Sequence, residues 1–153
     1  MPPAIHTQTL LYIKAMERAL QTLLRTRLPN FQVISGMDVS SYKDIVTSRG
    51  LTYHYYYSPA QDGKPTLLFV HGFPSTSWDW HKQVVHFRPL GYGLVVPDTL
   101  GYGGTSKPTD PELYRPTLVT KDLVEILDAE NLRTVIAIGH DWSVVASLSS
   151  GYH

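Results

Sequence analysis

Three short apolar segments, each ending abruptly at a glycine, a proline or a polar residue, constrain the fold of this chain most strongly. They lie at residues 67–70, 94–96 and 134–138, and each has the length of a strand. Between the second and the third, residues 117–128 have helical periodicity, and Thr117 is predicted as the N-cap. Strands without alternating polar residues, separated by helices, are typical of a parallel sheet that is covered on both faces. The sequence therefore predicts an α/β fold with a mostly parallel sheet flanked by helices.

The part of the chain before these strands is more polar. Residues 33–39 and 51–57 fit an edge hairpin of the sheet better than its centre. Residues 7–27 have apolar side chains at spacings of three and four, which predicts a helix that packs on the body, with membrane or partner binding as the alternative. We expect an N-terminal helical segment at residues 1–30 and a core domain at residues 31–153.

Composition excludes several kinds of protein. Acidic and basic residues balance at 13 each, so a nucleic acid or an anionic membrane is not an expected partner. There is no cysteine, which excludes a disulfide scaffold, a cysteine nucleophile and a thiolate metal site. No signal peptide and no apolar run of membrane-spanning length are visible. We expect a cytoplasmic protein that needs neither a metal nor an organic cofactor.

The third apolar segment ends in a motif that can carry chemistry. Gly139, His140, Asp141, Trp142 and Ser143 follow it directly, and small apolar residues come next. In a nucleophile elbow of the G-x-S-x-G type, a sharp turn between strand and helix lifts the central side chain above the sheet. Here the central residue is an aspartate. The alternative is an aspartate that only caps the following helix.

A second motif follows the first apolar segment and reads His71, Gly72, Phe73, Pro74. Hydrolases with a nucleophile elbow stabilise an oxyanion with two backbone N–H groups. One comes from the loop after an earlier strand and the other from the residue that follows the nucleophile. This predicts Phe73 and Trp142 as the two donors, through their backbones.

Together with residues 97–108, these two motifs resemble the epoxide hydrolases of the α/β-hydrolase fold, and the stretch 101–108 is also similar to fungal members. The resemblance implies that Asp141 opens an epoxide to a diol through an alkyl-enzyme ester, which a histidine-activated water then hydrolyses. It implies a small-molecule epoxide as substrate. The remaining motif residues would support the loops around the site: His71, Gly72, Pro74, Gly139, His140 and Ser143.

Two other functions stay open. Haloalkane dehalogenases also use an aspartate followed by tryptophan, but they typically have asparagine where this chain has Phe73. Fluoroacetate dehalogenases tend to have arginine where it has Trp142. The combination found here favours an epoxide. The second alternative is a non-catalytic, truncated fragment or an interaction protein.

The resemblance also implies a catalytic acid and a histidine after the nucleophile. No Asp or Glu follows Asp141, the only later histidine is His153, and Ser143 stands where the family usually has glycine. We therefore expect a chain truncated after the elbow, without turnover of its own, in which an ester at Asp141 would stall. The strand at residues 134–138 would then form an unpaired sheet edge, which predicts self-association.

Overall fold

The computed structural model describes residues 37–141, which form a mixed sheet with helices on both sides. The strands are β1 (Tyr42–Val46), β2 (Thr52–Ser58), β3 (Thr66–Val70), β4 (Gly93–Pro97) and β5 (Ile136–Gly139). The α-helices are α1 (His81–Phe87) and α2 (Pro116–Ala129). Short 3-10 helices lie at Val39–Ser41, Ser77–Trp80, Arg88–Leu90 and Pro111–Tyr114.

The strand order β1-β2-β4-β3-β5 places β3 between β4 and β5. β3 pairs in parallel with both neighbours, whereas β2 pairs antiparallel with β1 and β4. The chain thus crosses from β3 to one side, forms β4, and returns to the other side as β5. Such a reversal of direction opens a crevice beyond the carboxyl ends of the strands, which is where open α/β sheets bind ligands.

Both faces of the sheet carry a hydrophobic core, because the residues of β3 and β4 alternate between the two. One cluster is built on α2 and includes Leu68, Val70, Val95, Leu123, Ile126 and Leu127. The other contains the one buried residue of α1, Val84, with Leu67, Phe69, Leu94 and Val96. Every residue of β3 and of β4 is buried, as expected for strands that are covered on both faces. The α/β architecture predicted from the sequence is confirmed.

Element boundaries differ from the prediction in three places. An edge hairpin is present, but of the strand predicted at residues 33–39 only 37–39 are described; they are not strand, Val39 begins a 3-10 helix, and β1 starts at Tyr42. The reason is local, since the Asp38 side chain accepts a hydrogen bond from the Ser40 N–H at 3.0 Å and turns the chain. Helix α2 starts at Pro116, so the N-cap prediction for Thr117 is wrong, because a proline at the first helical position is pre-set for the helix. The last strand begins two residues later than predicted and includes Gly139.

Helix α1 and the 3-10 turn before it were not predicted. Thr76 caps this segment, and its side chain accepts a hydrogen bond from the Trp78 N–H at 3.3 Å. The predicted helix at 7–27, the segment 1–30 and the ends of the predicted core domain lie outside the described residues. Within 37–141, none of the helices combines the length and the hydrophobicity needed to cross a bilayer.

Candidate active site

Sheet register brings the two sequence motifs together. Val70, the last residue of β3, pairs with Gly139, the last residue of β5. The His140 N–H then donates to the Val70 carbonyl at 3.2 Å. Because the strands are parallel and end level, the loops that follow them leave the sheet side by side. Residues 71–74 and 140–141 are therefore neighbours in space.

Asp141 has a left-handed backbone conformation, with φ of 62°. Residues with a side chain rarely adopt this conformation, which costs roughly 1–3 kcal/mol and persists where the surrounding structure imposes it. An N-cap residue has an extended backbone instead. The geometry of Asp141 thus differs from that of an ordinary helix cap, and it agrees with the sharp turn that follows a strand in a nucleophile elbow.

The Phe73 backbone N–H donates a hydrogen bond to Oδ2 of Asp141 at 3.2 Å. This is the donor that the sequence predicted in the motif at residues 71–74. Asp141 is exposed, and the Phe73 side chain is 68% exposed beside it. The carboxylate is therefore open to a ligand on one side and held by a main-chain amide on the other.

Gly72 allows the two loops to approach. A Cβ placed on Gly72 would lie 2.6 Å from the Cβ of Asp141 and 2.8 Å from the carbonyl oxygen of His140. Contacts this short do not occur between real side chains, so a larger residue at this position would push the loops apart. The requirement comes from space alone, since the backbone of Gly72 is not left-handed.

His71 lies beneath the site and is only 2% exposed. Its Nε2 accepts a hydrogen bond from the Thr99 N–H at 2.9 Å, and its Nδ1 lies 2.9 Å from the carbonyl oxygen of Gly72. Burial lowers the pKa of His71 because it disfavours the charged ring. These contacts agree with a supporting role for His71.

Asp98, which directly follows β4, fixes the glycine-rich loop at residues 101–108. The buried carboxylate accepts hydrogen bonds from the Ser77 N–H at 2.7 Å and from the Gly104 N–H at 2.8 Å. A side chain at Gly103 would collide with this carboxylate. Asp98 therefore ties the glycine-rich loop to the segment that leads into α1.

No sequence pattern predicted the position of Tyr102, which lies in the glycine-rich loop and contacts His71 and Phe73. Its ring meets the ring of His71 edge-on, with centroids 5.5 Å apart, and that of Phe73 at 6.3 Å. A lone tyrosine within a glycine-rich loop carries no pattern that predicts such a contact. Tyr102 thus forms an aromatic pair with Phe73, the residue whose amide contacts Asp141.

Of the remaining predicted residues, only Pro74 is described, and its peptide bond with Phe73 is cis. Trp142 and Ser143 lie outside the described residues, so the second oxyanion donor and the substituted elbow glycine stay predictions. Among residues 37–141, no cluster of three or more histidine or carboxylate side chains has the arrangement of a metal site.

Comparison with known proteins agrees with this geometry. Residues 65–142 match the family model described as alpha/beta hydrolase fold. An epoxide hydrolase of Caballeronia sordidicola is 40% identical over 99 residues, which are 65% of this chain and 29% of that protein. Epoxide hydrolase A of Mycobacterium tuberculosis is 36% identical over 85 residues, which are 56% of this chain and 26% of that protein.

Solved structures give the same result. Epoxide hydrolase A of Mycobacterium thermoresistibile superposes with a TM-score of 0.63 at 31% identity, over 70% of this chain and 33% of that chain. An epoxide hydrolase of Vigna radiata superposes with a TM-score of 0.63 at 27% identity, over 69% of this chain and 33% of that one. The chain spans about a third or less of the length of these relatives. The family model, which covers half of the sequence, and these likenesses show that the chain belongs to the α/β-hydrolase fold family.

Proposed function

We propose that this chain carries the nucleophile and part of the oxyanion hole of an epoxide hydrolase. The observation that carries the proposal is the hydrogen bond from the Phe73 N–H to Oδ2 of an exposed, left-handed Asp141 at the end of β5. The names of the relatives, which are epoxide hydrolases from bacteria and a plant, support the choice of substrate. In this proposal the ligand is a small epoxide, and the reaction uses no metal and no organic cofactor.

The hydrogen bond distinguishes the two oxygens of Asp141. Oδ2 faces the Phe73 amide, so Oδ1 is the oxygen that attacks an epoxide carbon. A C–O bond forms to Oδ1, a ring C–O bond breaks, and its electron pair goes to the epoxide oxygen, which takes a proton from an acid outside the described residues. The product is an alkyl ester on Asp141.

Hydrolysis of this ester returns the carboxylate. Water attacks the ester carbonyl carbon, loses a proton to a general base, and pushes negative charge onto Oδ2. The intermediate then collapses: the bond between Cγ and Oδ1 breaks, and the diol leaves with Oδ1 and takes the proton from the base. The Phe73 N–H already points at Oδ2, and a donor so placed stabilises the transition state by roughly 3–4 kcal/mol. The Trp142 N–H is proposed as the second donor. An aspartate suits attack on a saturated carbon because its ester can itself be hydrolysed.

Intact mass spectrometry tests the proposal on the 153-residue polypeptide. After incubation with styrene oxide, we expect a mass increase of one epoxide, which peptide mapping places on Asp141. The ester should persist, because no acidic residue follows Asp141 in this sequence to support a histidine-activated water. Release of diol by this polypeptide would contradict that expectation.

Two variants make the test specific. Asp141→Asn should abolish the adduct. The matched control is Asp62→Asn, because Asp62 is also an exposed aspartate with positive φ, at 51°, but lies in a turn between β2 and β3. An adduct that survives Asp141→Asn, or no adduct on folded wild-type protein, would refute the nucleophile and favour a non-catalytic chain. Halide release from a haloalkane in place of epoxide opening would favour a dehalogenase.

We further propose a cytoplasmic location, which a sequence without cysteine fits. Self-association through the edge of β5 is also a proposal, and it depends on the pairing of this strand. Among residues 37–141, β5 pairs with β3 on one side only.

A further inference from the structure

The peptide unit between Gly72 and Phe73 is held from both ends. Its N–H donates to Oδ2 of Asp141 at 3.2 Å. Its carbonyl oxygen lies 2.9 Å from Nδ1 of His71. A trans peptide is planar, and its C=O and N–H point in opposite directions. Whatever fixes the direction of the Gly72 carbonyl therefore also fixes the direction of the Phe73 N–H.

The protonation state of His71 follows from its partners. The Thr99 backbone N–H is a donor, and it lies 2.9 Å from Nε2. Nε2 must therefore accept, and it has no proton. The Thr99 hydroxyl lies 3.2 Å from the same nitrogen. In the neutral ring the proton is then on Nδ1, which donates to the Gly72 carbonyl.

We propose that His71 is a positioning residue that aims the Phe73 N–H at Asp141, by donating from Nδ1 to the Gly72 carbonyl in the tautomer that Thr99 selects. That the Phe73 N–H acts as an oxyanion donor rests on the proposed function. That His71 orients this N–H toward Asp141 does not. Three contacts follow one another. Thr99 selects the tautomer of His71, His71 fixes the orientation of the Gly72–Phe73 peptide, and the N–H of that peptide donates to the Asp141 carboxylate. His71 itself does not touch Asp141 in this role.

This arrangement depends on pH. A proton on Nε2 would place an N–H against the Thr99 N–H and break that hydrogen bond. Burial lowers the pKa of His71, whereas the hydrogen bond to the Gly72 carbonyl and the carboxylates of Asp98 and Asp79 oppose this. The ring of Tyr102 covers another side of the imidazole. In the folded protein, His71 is therefore protonated only at a pH below the ordinary pKa of histidine, which is about 6.5.

Nuclear magnetic resonance tests the proposal on the wild-type chain without any substrate. A long-range ¹H–¹⁵N spectrum at neutral pH should show His71 protonated at Nδ1 and unprotonated at Nε2. As pH falls, the Phe73 amide resonance should shift with the same midpoint as the His71 ring. A proton on Nε2 at neutral pH, or a Phe73 amide that ignores the titration of His71, would overturn the proposal.

Two variants separate the two hydrogen bonds of His71. In His71→Asn the side-chain amide can replace Nδ1 as donor to the Gly72 carbonyl, whereas in His71→Gln the longer side chain reaches the Nε2 position and can accept from Thr99. Adding Asp141→Asn to each variant shows whether the Phe73 amide still senses residue 141. We expect the shift that Asp141→Asn causes in the wild type to survive in His71→Asn and to be lost in His71→Gln.

The reverse result, or the same response in both variants, would contradict positioning by Nδ1. If a variant fails to fold, the wild-type titration still decides the question. Because these measurements need no reaction, a positive result without an ester at Asp141 would leave the positioning role intact and refute the proposed function. An ester at Asp141 in a protein whose His71 has the other tautomer would support the proposed function and refute the positioning role.

Discussion

Two aspartates of this molecule, Asp122 and Asp141, show how surroundings decide what a carboxylate can do. Asp122, on α2, is fully buried, and its Oδ2 accepts hydrogen bonds from Arg49 at 2.9 Å and from the Tyr53 hydroxyl at 2.8 Å. Asp141 is exposed, has a left-handed backbone, and meets the Phe73 amide.

The difference separates a structural carboxylate from the proposed nucleophile. Arg49 also donates to the Leu113 carbonyl at 2.7 Å, so the Asp122 cluster joins the β1–β2 turn, α2 and the segment before α2. A buried group with such partners cannot meet a ligand, whereas Asp141 combines local strain with access. Local strain at an accessible site is where function is expected.

The largest effect on stability is expected from removing the buried carboxylate. Asp122→Ala leaves the Arg49 charge and the Tyr53 hydroxyl without their partner, which should cost about 3–5 kcal/mol of unfolding free energy. Urea denaturation measures this loss. Asp141→Ala serves as the comparison and should cost far less; equal losses at the two positions would remove the distinction between them.

Gly72→Ala should affect the site more than the fold. The added methyl group would lie 2.6 Å from Cβ of Asp141, so the loops must separate, at a cost of about 1–3 kcal/mol. Displacement of the carboxylate by about 1 Å should slow ester formation with styrene oxide roughly 100-fold, as followed by intact mass. Gly63→Ala is the control: a Cβ there meets nothing within 4 Å, but φ is 71°, so this variant also loses about 1 kcal/mol of stability without moving the loops of the site. Similar rates in the two variants would show that the close approach of Gly72 is irrelevant.

The strain at Asp141 itself can be measured with a smaller substitution pair. Because φ is 62°, Asp141→Gly should be more stable than Asp141→Ala by about 1 kcal/mol. At Asp79, within a 3-10 helix, the order should reverse, since glycine is the poorer helix former. Denaturation midpoints of the four variants test both signs, and the same order at both positions would argue against a strained elbow.

The smallest effect on the unfolding free energy is expected at the sheet edge, where association is measured instead. Ala137 is exposed on β5, and a lysine there should weaken edge-to-edge pairing of the 153-residue polypeptide. Sedimentation velocity should show fewer oligomers for Ala137→Lys than for the wild type. Ala129→Lys, at the end of α2, adds the same charge away from the strand and should leave the distribution unchanged. A monomeric wild type would remove the case for association through β5.

Features that depend on neighbouring residues were predictable from the sequence, whereas contacts between residues far apart in the chain were not. The loops around Phe73 and Asp141 were predictable because each motif directly follows an apolar strand, and parallel strands end at the same edge of a sheet. The Asp122 cluster was not, because Arg49 and Asp122 are 73 residues apart and no local pattern links them. The hydrogen bond between Thr99 and His71 was not predicted for the same reason, because 28 residues separate them.

Two element boundaries were predicted wrongly because local interactions at the ends of the elements were not recognised. The first strand was placed too early because Asp38 and Ser40 form a turn that hydrophobicity does not reveal. The start of α2 was misplaced because Pro116 is better suited to the first helical position than Thr117 is to a cap. Both errors arise from side-chain hydrogen bonding and backbone preference at the ends of elements.

The pairing of Val70 with Gly139 has a consequence for how the site comes into existence. Phe73 and Asp141 are separated by 68 residues, so neither loop alone contains the arrangement. A chain emerging from the ribosome would hold β3 and β4 long before β5 can dock, and contacts between distant segments form slowly. The amide and the carboxylate meet only when β5 has aligned beside β3, so the pairing of these two strands is the event that assembles the proposed site.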